Sequence, residues 1–252
     1  MFKDIKQVMK DSVLYGIGNV AVKLVGFILI PLYTDAEYFS TADYGLMGLL
    51  EVTSQILIAV MGLSLYSGLI RWYWDAEYRD KQKTIFFTTL LFTILTSLCI
   101  GSVLWLNVGE LSALLVQQEG YSLGGELPYI LQLLILTSML GAVVEVPQNL
   151  LRLQRKPIYY SLTNIVRLFV TLVLTIYFTI SLHRGVSGVY EAQLVGIVIQ
   201  LLMVLPLVIK NSSCRVDRKC TIQLLVYSYP LVFPAIVGSL LTVFDRYIIN
   251  HF

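Results

Sequence analysis

Apolar residues fall in long unbroken runs along this chain, separated by short polar gaps. The runs are roughly Val13–Tyr33, Tyr44–Leu69, Thr84–Leu106, Leu127–Leu150, Ile158–Leu182, Val189–Ile209 and Leu224–Ile249. Each has about the 20 residues that a helix needs to cross a bilayer core. Strands of a membrane barrel are about 10 residues long and alternate in polarity, a pattern absent from these runs. In hydrocarbon every backbone group must be satisfied within the segment, so the runs predict helices. The fold class expected is an all-α polytopic membrane protein of about seven transmembrane helices.

The gaps set the orientation. Every second gap is basic: Lys3, Lys6 and Lys10; Arg71, Arg79, Lys81 and Lys83; Arg152, Arg155 and Lys156; Lys210, Arg215, Arg218 and Lys219. The alternate gaps carry Asp35, Glu37, Asp43, Glu110, Glu119, Glu126 and Glu191, with Arg184 their one basic residue. The positive-inside rule puts the basic gaps and the N-terminus in the cytoplasm. Composition agrees: 57% of the residues are hydrophobic and 13% charged, against about 25% charged in soluble domains.

Met1–Asp11 puts Phe2, Ile5, Val8 and Met9 on one helical face and its lysines largely on the other. This suits either a short interfacial helix or a solvated basic tail. Residues 12–210 then form a six-helix lobe, and 211–252 a cytoplasmic linker with one further helix. All loops are short, the longest on the outer side being Asn107–Glu126. The chain stops just past an odd seventh span, so it is expected to be the first part of a longer two-lobed transporter; a natural seven-span protein is the alternative. Pro31, Pro147, Pro230 and Pro234 mark helices that can bend, although membrane helices also tolerate proline without a mechanical role.

Charge inside the membrane is the sharpest chemical clue. A Lys, Arg or Asp at a helix centre costs roughly 2.5–3.5 kcal/mol on the insertion scale, so such residues face a cavity or a partner. Lys23 sits mid-span, about 15 Å from either end at 1.5 Å per residue. Asn19 lies one turn away. Lys23 either binds substrate or pairs with Glu51 of the second span. Arg167 lies mid-depth in the fifth span, in line with Tyr160, Asn164, Thr171 and Thr175. That stripe reads as a wet cavity or as interhelical hydrogen bonding. Glu145, Gln148, Asn149 and Arg152 share one face of the fourth span, and Glu51 and Gln55 pair in the second. Glu51, Glu145 and Asp245 are candidates to carry a coupling ion; salt-bridge roles compete for the first two. Arg246 adds a further cation near the outer end of the seventh span. Arg71 and the following Trp72-Tyr73-Trp74 read as an interfacial anchor and aromatic belt. The predicted interior is cationic with flanking acids, which suits an anionic substrate such as a lipid-linked pyrophosphate.

No P-loop, HExxH or GxSxG signature is present, so no enzyme activity, cofactor or metal site is expected. Cys99, Cys214 and Cys220 match no metal or haem spacing. No nucleic-acid partner is expected.

The segments Tyr15-Gly16-Ile17-Gly18-Asn19, Gly26-Phe27-Ile28-Leu29-Ile30-Pro31-Leu32-Tyr33-Thr34 and Asp43-Tyr44-Gly45-Leu46 resemble the polysaccharide-biosynthesis flippases. These are the Wzx-type O-antigen and capsule translocases of the MATE-like MOP exporter superfamily. Tyr229-Pro230-Leu231-Val232-Phe233-Pro234 and Asp245-Arg246-Tyr247-Ile248-Ile249 resemble the opening of that family's second lobe. The likeness covers most of the chain and rests on the order and spacing of these segments. It implies 12 to 14 spans in two lobes in the cell inner membrane. It also implies flipping of undecaprenyl-pyrophosphate-linked sugar repeats for lipopolysaccharide or capsule, without ATP and driven by an H⁺ or Na⁺ gradient. The partners implied are a lipid-linked anionic oligosaccharide, the coupling ion and membrane lipids. Lys23, Arg167, Asn19, Asn164 and Arg246 would hold the substrate. Drug-exporting relatives often carry an acid in the first span, where this chain has Asn19 and Lys23. A MATE-type multidrug or cation antiporter, an inactive truncated fragment and a membrane glycan polymerase stand as alternatives.

Overall fold

The computed structural model describes residues 27–119, 125–213, 215–238 and 240–241. The interfacial segment 1–11, Asn19, Lys23, Asp245 and Arg246 lie outside them. Residues 27–33 form the helical stretch α1. It is followed by α2 (Thr41–Gly62), α3 (Leu65–Trp72), a 3₁₀ turn (Ala76–Lys81) and α4 (Gln82–Leu106). Then come α5 (Val108–Glu119), α6 (Leu127–Leu153), α7 (Pro157–Ile176), α8 (Gly185–Asn211) and α9 (Arg218–Ser228). Six helical segments among the described residues are long and apolar enough to cross a membrane. They match the second to seventh runs of the sequence.

Local chemistry sets the helix ends. Ser40 caps α2 in a capping box: Asp43 N–H donates to Ser40 Oγ at 3.1 Å, and Ser40 N–H to the Asp43 carboxylate at 2.9 Å. Pro128 and Pro157 stand in the first turns of α6 and α7, where a missing N–H costs nothing. Asp217 caps α9, accepting from the N–H groups of Lys219 and Cys220. At the far end of α7 the chain widens into a π turn, Tyr177–Ser181. His183 and Gly185, both with positive φ, then reverse it into α8.

Two features depart from the sequence expectation. The second apolar run is not one helix. It breaks at Leu63 and Ser64, which take left-handed φ values of 44° and 48°. Thr96 of α4 donates to the Met61 carbonyl at 2.7 Å, partnering a group at the break. The expected outer loop Asn107–Glu126 instead contains a helix, α5, over Val108–Glu119. Smaller shifts appear at span ends: the seventh starts at Arg218 rather than Leu224, because Asp217 supplies its cap.

The bundle is organised around α6, which packs against α2, α3, α4, α5, α7 and α8. Over half of its spanning window is buried. One core cluster gathers Leu46, Leu50, Leu127, Ile130, Leu134, Val189 and Tyr190 towards the end that carries the acidic loops. A second gathers Leu69, Ile85, Phe86, Leu150, Leu151 and Leu224 towards the basic end. Close approach is allowed by small residues: Ser54 and Ser138 hydroxyls meet at 3.0 Å between α2 and α6, and Gly101 of α4 lies directly under Met139. The outward surface is hydrocarbon. Leu95, Leu98, Phe169, Leu202, Ile209 and Phe233 are all exposed, as a lipid-facing surface requires.

Both ends are stitched by polar contacts. At the basic end Gln154 Nε2 donates to Asn211 Oδ1 at 2.8 Å and to the Tyr73 hydroxyl at 3.2 Å. Lys81 and Asp217 form an ion pair at 2.7 Å. Lys81 holds the Asp217 carboxyl below its ordinary range, chiefly by donating a hydrogen bond to it. At the acidic end Arg184 pairs with Glu191, which also accepts from the Tyr129 hydroxyl at 2.8 Å. The Tyr38 ring lies parallel to that of His183. Of the expected aromatic belt, Trp74 is exposed. Tyr73 is buried and Trp72 packs edge-on against Tyr227 of α9, so those two serve packing.

Candidate functional site

The two faces of α7 could hardly differ more. Ile158, Leu162, Ile165, Phe169 and Val173 recur at helical spacing and are exposed. The opposite side carries Tyr160, Thr163, Asn164, Arg167, Thr171 and Thr175, turned towards α6 and α8. Tyr160, Thr163 and Thr175 are buried and Arg167 is half-buried. The apolar stripe is what lipid would meet, and the polar stripe becomes a seam within the bundle.

Hydrogen bonds run along the half of that seam between Arg167 and the basic end. Arg167 Nη1 donates to Gln200 Oε1 of α8 at 3.1 Å. Gln200 Nε2 donates onward to Asn164 Oδ1 at 3.0 Å, and Asn164 Nδ2 to the Tyr160 carbonyl at 2.8 Å. The Tyr160 hydroxyl accepts from Arg152, whose guanidinium also sits 4.6 Å over the Tyr160 ring. Gln148 of α6 joins from the side, donating to Thr163 Oγ1 at 2.9 Å. Two cations therefore stand on one chain of neutral groups.

Their surroundings differ. Arg152 is exposed at the basic end, and its charge reaches Glu145 of the same helix and Tyr66 of α3. Arg167 is mid-depth, and among the described residues it makes no ion pair. A guanidinium has five N–H donors. The contact to Gln200 uses one of them and neutralises no charge.

The remaining candidates are placed as follows. Asn164 and Arg167 meet through Gln200. Glu145 is half-buried on α6, with its backbone carbonyl accepting from Asn149 at 3.0 Å. Glu51 and Gln55 are exposed on α2, and Glu51 is close enough to Tyr33 and Tyr190 for its charge to act on them. Glu51 and Glu145 thus belong to different neighbourhoods. Sequence reasoning missed Gln200, Thr163 and Gly196. The available signal was a second amide after Gln193 in the apolar run of the sixth span, one turn beyond a glycine. A crevice too tight to admit water lies elsewhere, between α3, α4 and α9, lined by Leu65, Thr88, Thr89, Phe92, Thr221 and Leu224. Its walls carry no charge with which to hold an ion.

Known structures share this helix arrangement. One is an outward-facing multidrug resistance MATE family transporter of the MOP superfamily: TM-score 0.72, 18% identity, 98% of this chain and 55% of that one covered. The fold is that of one half of a MATE transporter. A MATE structure in complex with Br-NRF superposes with TM-score 0.74 at 17% identity, covering 98% of this chain and 58% of the other. A third is a MOP superfamily transporter from Pyrococcus furiosus, described as having a binding pocket of reverse polarity that suggests a different function. It gives TM-score 0.71 at 18% identity, with 98% and 55% covered. The chain spans about half the length of these structures. No family profile matches it, and no curated protein does. With six apolar spans among the described residues and this fold, the chain is a multi-pass membrane protein.

Proposed function

We infer that this chain belongs to a transporter that flips an anionic, lipid-linked oligosaccharide of the undecaprenyl-pyrophosphate class. Movement runs from the cytoplasmic to the outer leaflet of the inner membrane, and the basic end of the bundle is cytoplasmic. The observation that carries this reading is Arg167: a mid-depth guanidinium held by a neutral amide and, among the described residues, paired with no carboxylate. Phosphate oxygens suit a guanidinium because two parallel N–H groups can engage them at once. Asn164 belongs to the same binding group, and Lys23, Asn19 and Arg246 are assigned to it from sequence. Glu51, Glu145 and Asp245 are assigned to the coupling H⁺ or Na⁺. The polarity of the pocket separates functions within this fold, as the description of the Pyrococcus furiosus transporter indicates for that protein.

A second reading is a multidrug or cation antiporter. It is favoured by the neighbours described as multidrug MATE transporters and by Glu145, a half-buried carboxylate inside the bundle. One experiment separates the two. Arg167→Ala and Lys23→Ala are made in the chromosomal gene, and surface glycan, protein level and drug resistance are measured. Loss of glycan at unchanged protein level is expected. Wild-type glycan in both variants refutes the flippase reading, and loss of drug resistance alone establishes the antiporter.

A further inference from the structure

Gly196 and Gln200 lie one helical turn apart on α8, on the face that meets α7. A Cβ at Gly196 would collide with the Thr171 hydroxyl and lie 3.3 Å from the Arg167 carbonyl and 3.5 Å from Arg167 Cγ. The missing side chain therefore makes a notch in α8 that receives the Thr171 hydroxyl and lets the α7 backbone at Arg167 come close, with the Arg167 stem in ordinary contact beside it. The head of Arg167 then reaches Gln200 at the next turn, at 3.1 Å. Gln200 is itself 1% exposed. Its orientation is fixed: Nε2 donates to Asn164 Oδ1 at 3.0 Å, which leaves Oε1 to face the guanidinium.

A glutamate at this position would reach the same point with nearly the same atoms. It would accept the same Arg167 hydrogen bond with a full negative charge, and would close an ion pair inside the bundle. The amide gives position without neutralisation. We propose that the Gly196–Gln200 notch is the specificity-determining element of the seam: it aims the Arg167 guanidinium and keeps its charge available, selecting a pyrophosphate-type anion over a cation. This rests on reading Arg167 as an anion-binding group. Gln200 is a positioning residue and touches the ligand only through Arg167.

The test is titration of farnesyl pyrophosphate into the full chain in nanodiscs of neutral lipid, with inorganic pyrophosphate as a parallel arm. Wild type should bind farnesyl pyrophosphate saturably. Binding of inorganic pyrophosphate with equal affinity would place recognition in the phosphates alone, which the proposal also expects. Gln200→Glu should weaken both by about tenfold or more, because its carboxylate competes for the guanidinium. Gln200→Asn is one methylene shorter, keeps the amide neutral and should retain more affinity than Gln200→Glu. That order separates charge from packing. Equal affinities for wild type and Gln200→Glu overturn the proposal. Arg167→Gln divides it from the reading beneath it. If Arg167→Gln loses binding while Gln200→Glu keeps it, only the notch proposal fails. If Arg167→Gln binds like wild type, or if wild type shows no saturable binding, the anion site fails as well. Should Gln200→Glu not accumulate, Gly196→Ala provides the measurement: filling the notch pushes Thr171 and the α7 backbone at Arg167 away from α8, which parts Arg167 from Gln200 and should lower affinity in a protein that still folds, and unchanged affinity overturns the proposal.

Discussion

Arg152 and Arg167 stand on the same hydrogen-bonded seam, yet they occupy opposite situations. Arg152 is at the basic end, exposed, stacked over Tyr160 and within the field of Glu145. Water and a carboxylate can both answer its charge. Arg167 is mid-depth, on a helix whose other face is apolar, and among the described residues only the Gln200 amide answers it. A charge in the first setting is inexpensive and anchors a helix end. In the second it is costly, and it persists where a ligand or a hydrated chamber compensates it. Position along the seam thus distinguishes the two cations more clearly than residue type does.

The comparison is broken most directly by neutralising each cation in turn. Arg167→Gln should reduce glycan export by about tenfold or more while leaving protein level unchanged, because the amide cannot engage phosphate oxygens with charge. Arg152→Gln should reduce export by about twofold at most, with its main effect on topology or expression. Equal losses would erase the distinction. Next in size is packing. Gly196→Ala should destabilise the protein by about 1–3 kcal/mol, since Thr171 and the Arg167 backbone would have to yield. Thermal unfolding in detergent would measure it. Gly101→Ala is the control, because its nearest neighbour is the flexible thioether of Met139 and the cost should be smaller. Tyr160→Phe removes the hydroxyl that accepts from Arg152 and keeps the ring beneath it. A loss of about 1 kcal/mol is expected, with no change in ligand affinity at Arg167.

The smallest effect belongs to the exposed pair at the basic end. Lys81 depresses the Asp217 carboxyl in the folded protein. The resulting stabilisation is therefore present at neutral pH and is lost as pH falls through that depressed value. Asp217→Asn keeps a capping oxygen for α9, and should abolish this acid dependence by removing the pair's small stabilisation at neutral pH. High salt should weaken the pair in the wild type and leave the variant unaffected. Thermal scans between pH 3 and 7, at about 0.05 and 0.5 M salt, would show both.

Spans with unbroken hydrocarbon were legible because lipid exposure demands it residue by residue: the third to sixth runs coincide closely with α4, α6, α7 and α8. The elbow in the second run was not legible. Met61-Gly62-Leu63-Ser64-Leu65 holds no proline, and leucine is among the residues least expected at positive φ. Helix α5 was hidden by its flanks, since the glycines and glutamates of the loop lowered the weight of Leu111, Leu114 and Leu115. The inward face of α7 was legible as a polar stripe with Arg167 at its centre. Its partners were not, because one amide in an apolar run gives no hint of which helix it will meet. Gln148 was visible on the polar face of α6, but its bond to Thr163 depended on the crossing of α6 and α7.

The elbow at Leu63 and Ser64 sits where one core cluster gives way to the other. Helix α2 contributes Leu46 and Leu50 to the first, and α3 contributes Leu69 to the second. The bundle is thus built as two storeys, each with its own furnishing of side chains. Helices α6 and α8 run through both floors as columns. The α2–α3 pair is instead a staircase with a landing, turned by two left-handed residues that each cost roughly 1–2 kcal/mol. The backbone of α3 is therefore not a rigid continuation of α2, and the two are joined side by side through α6 instead.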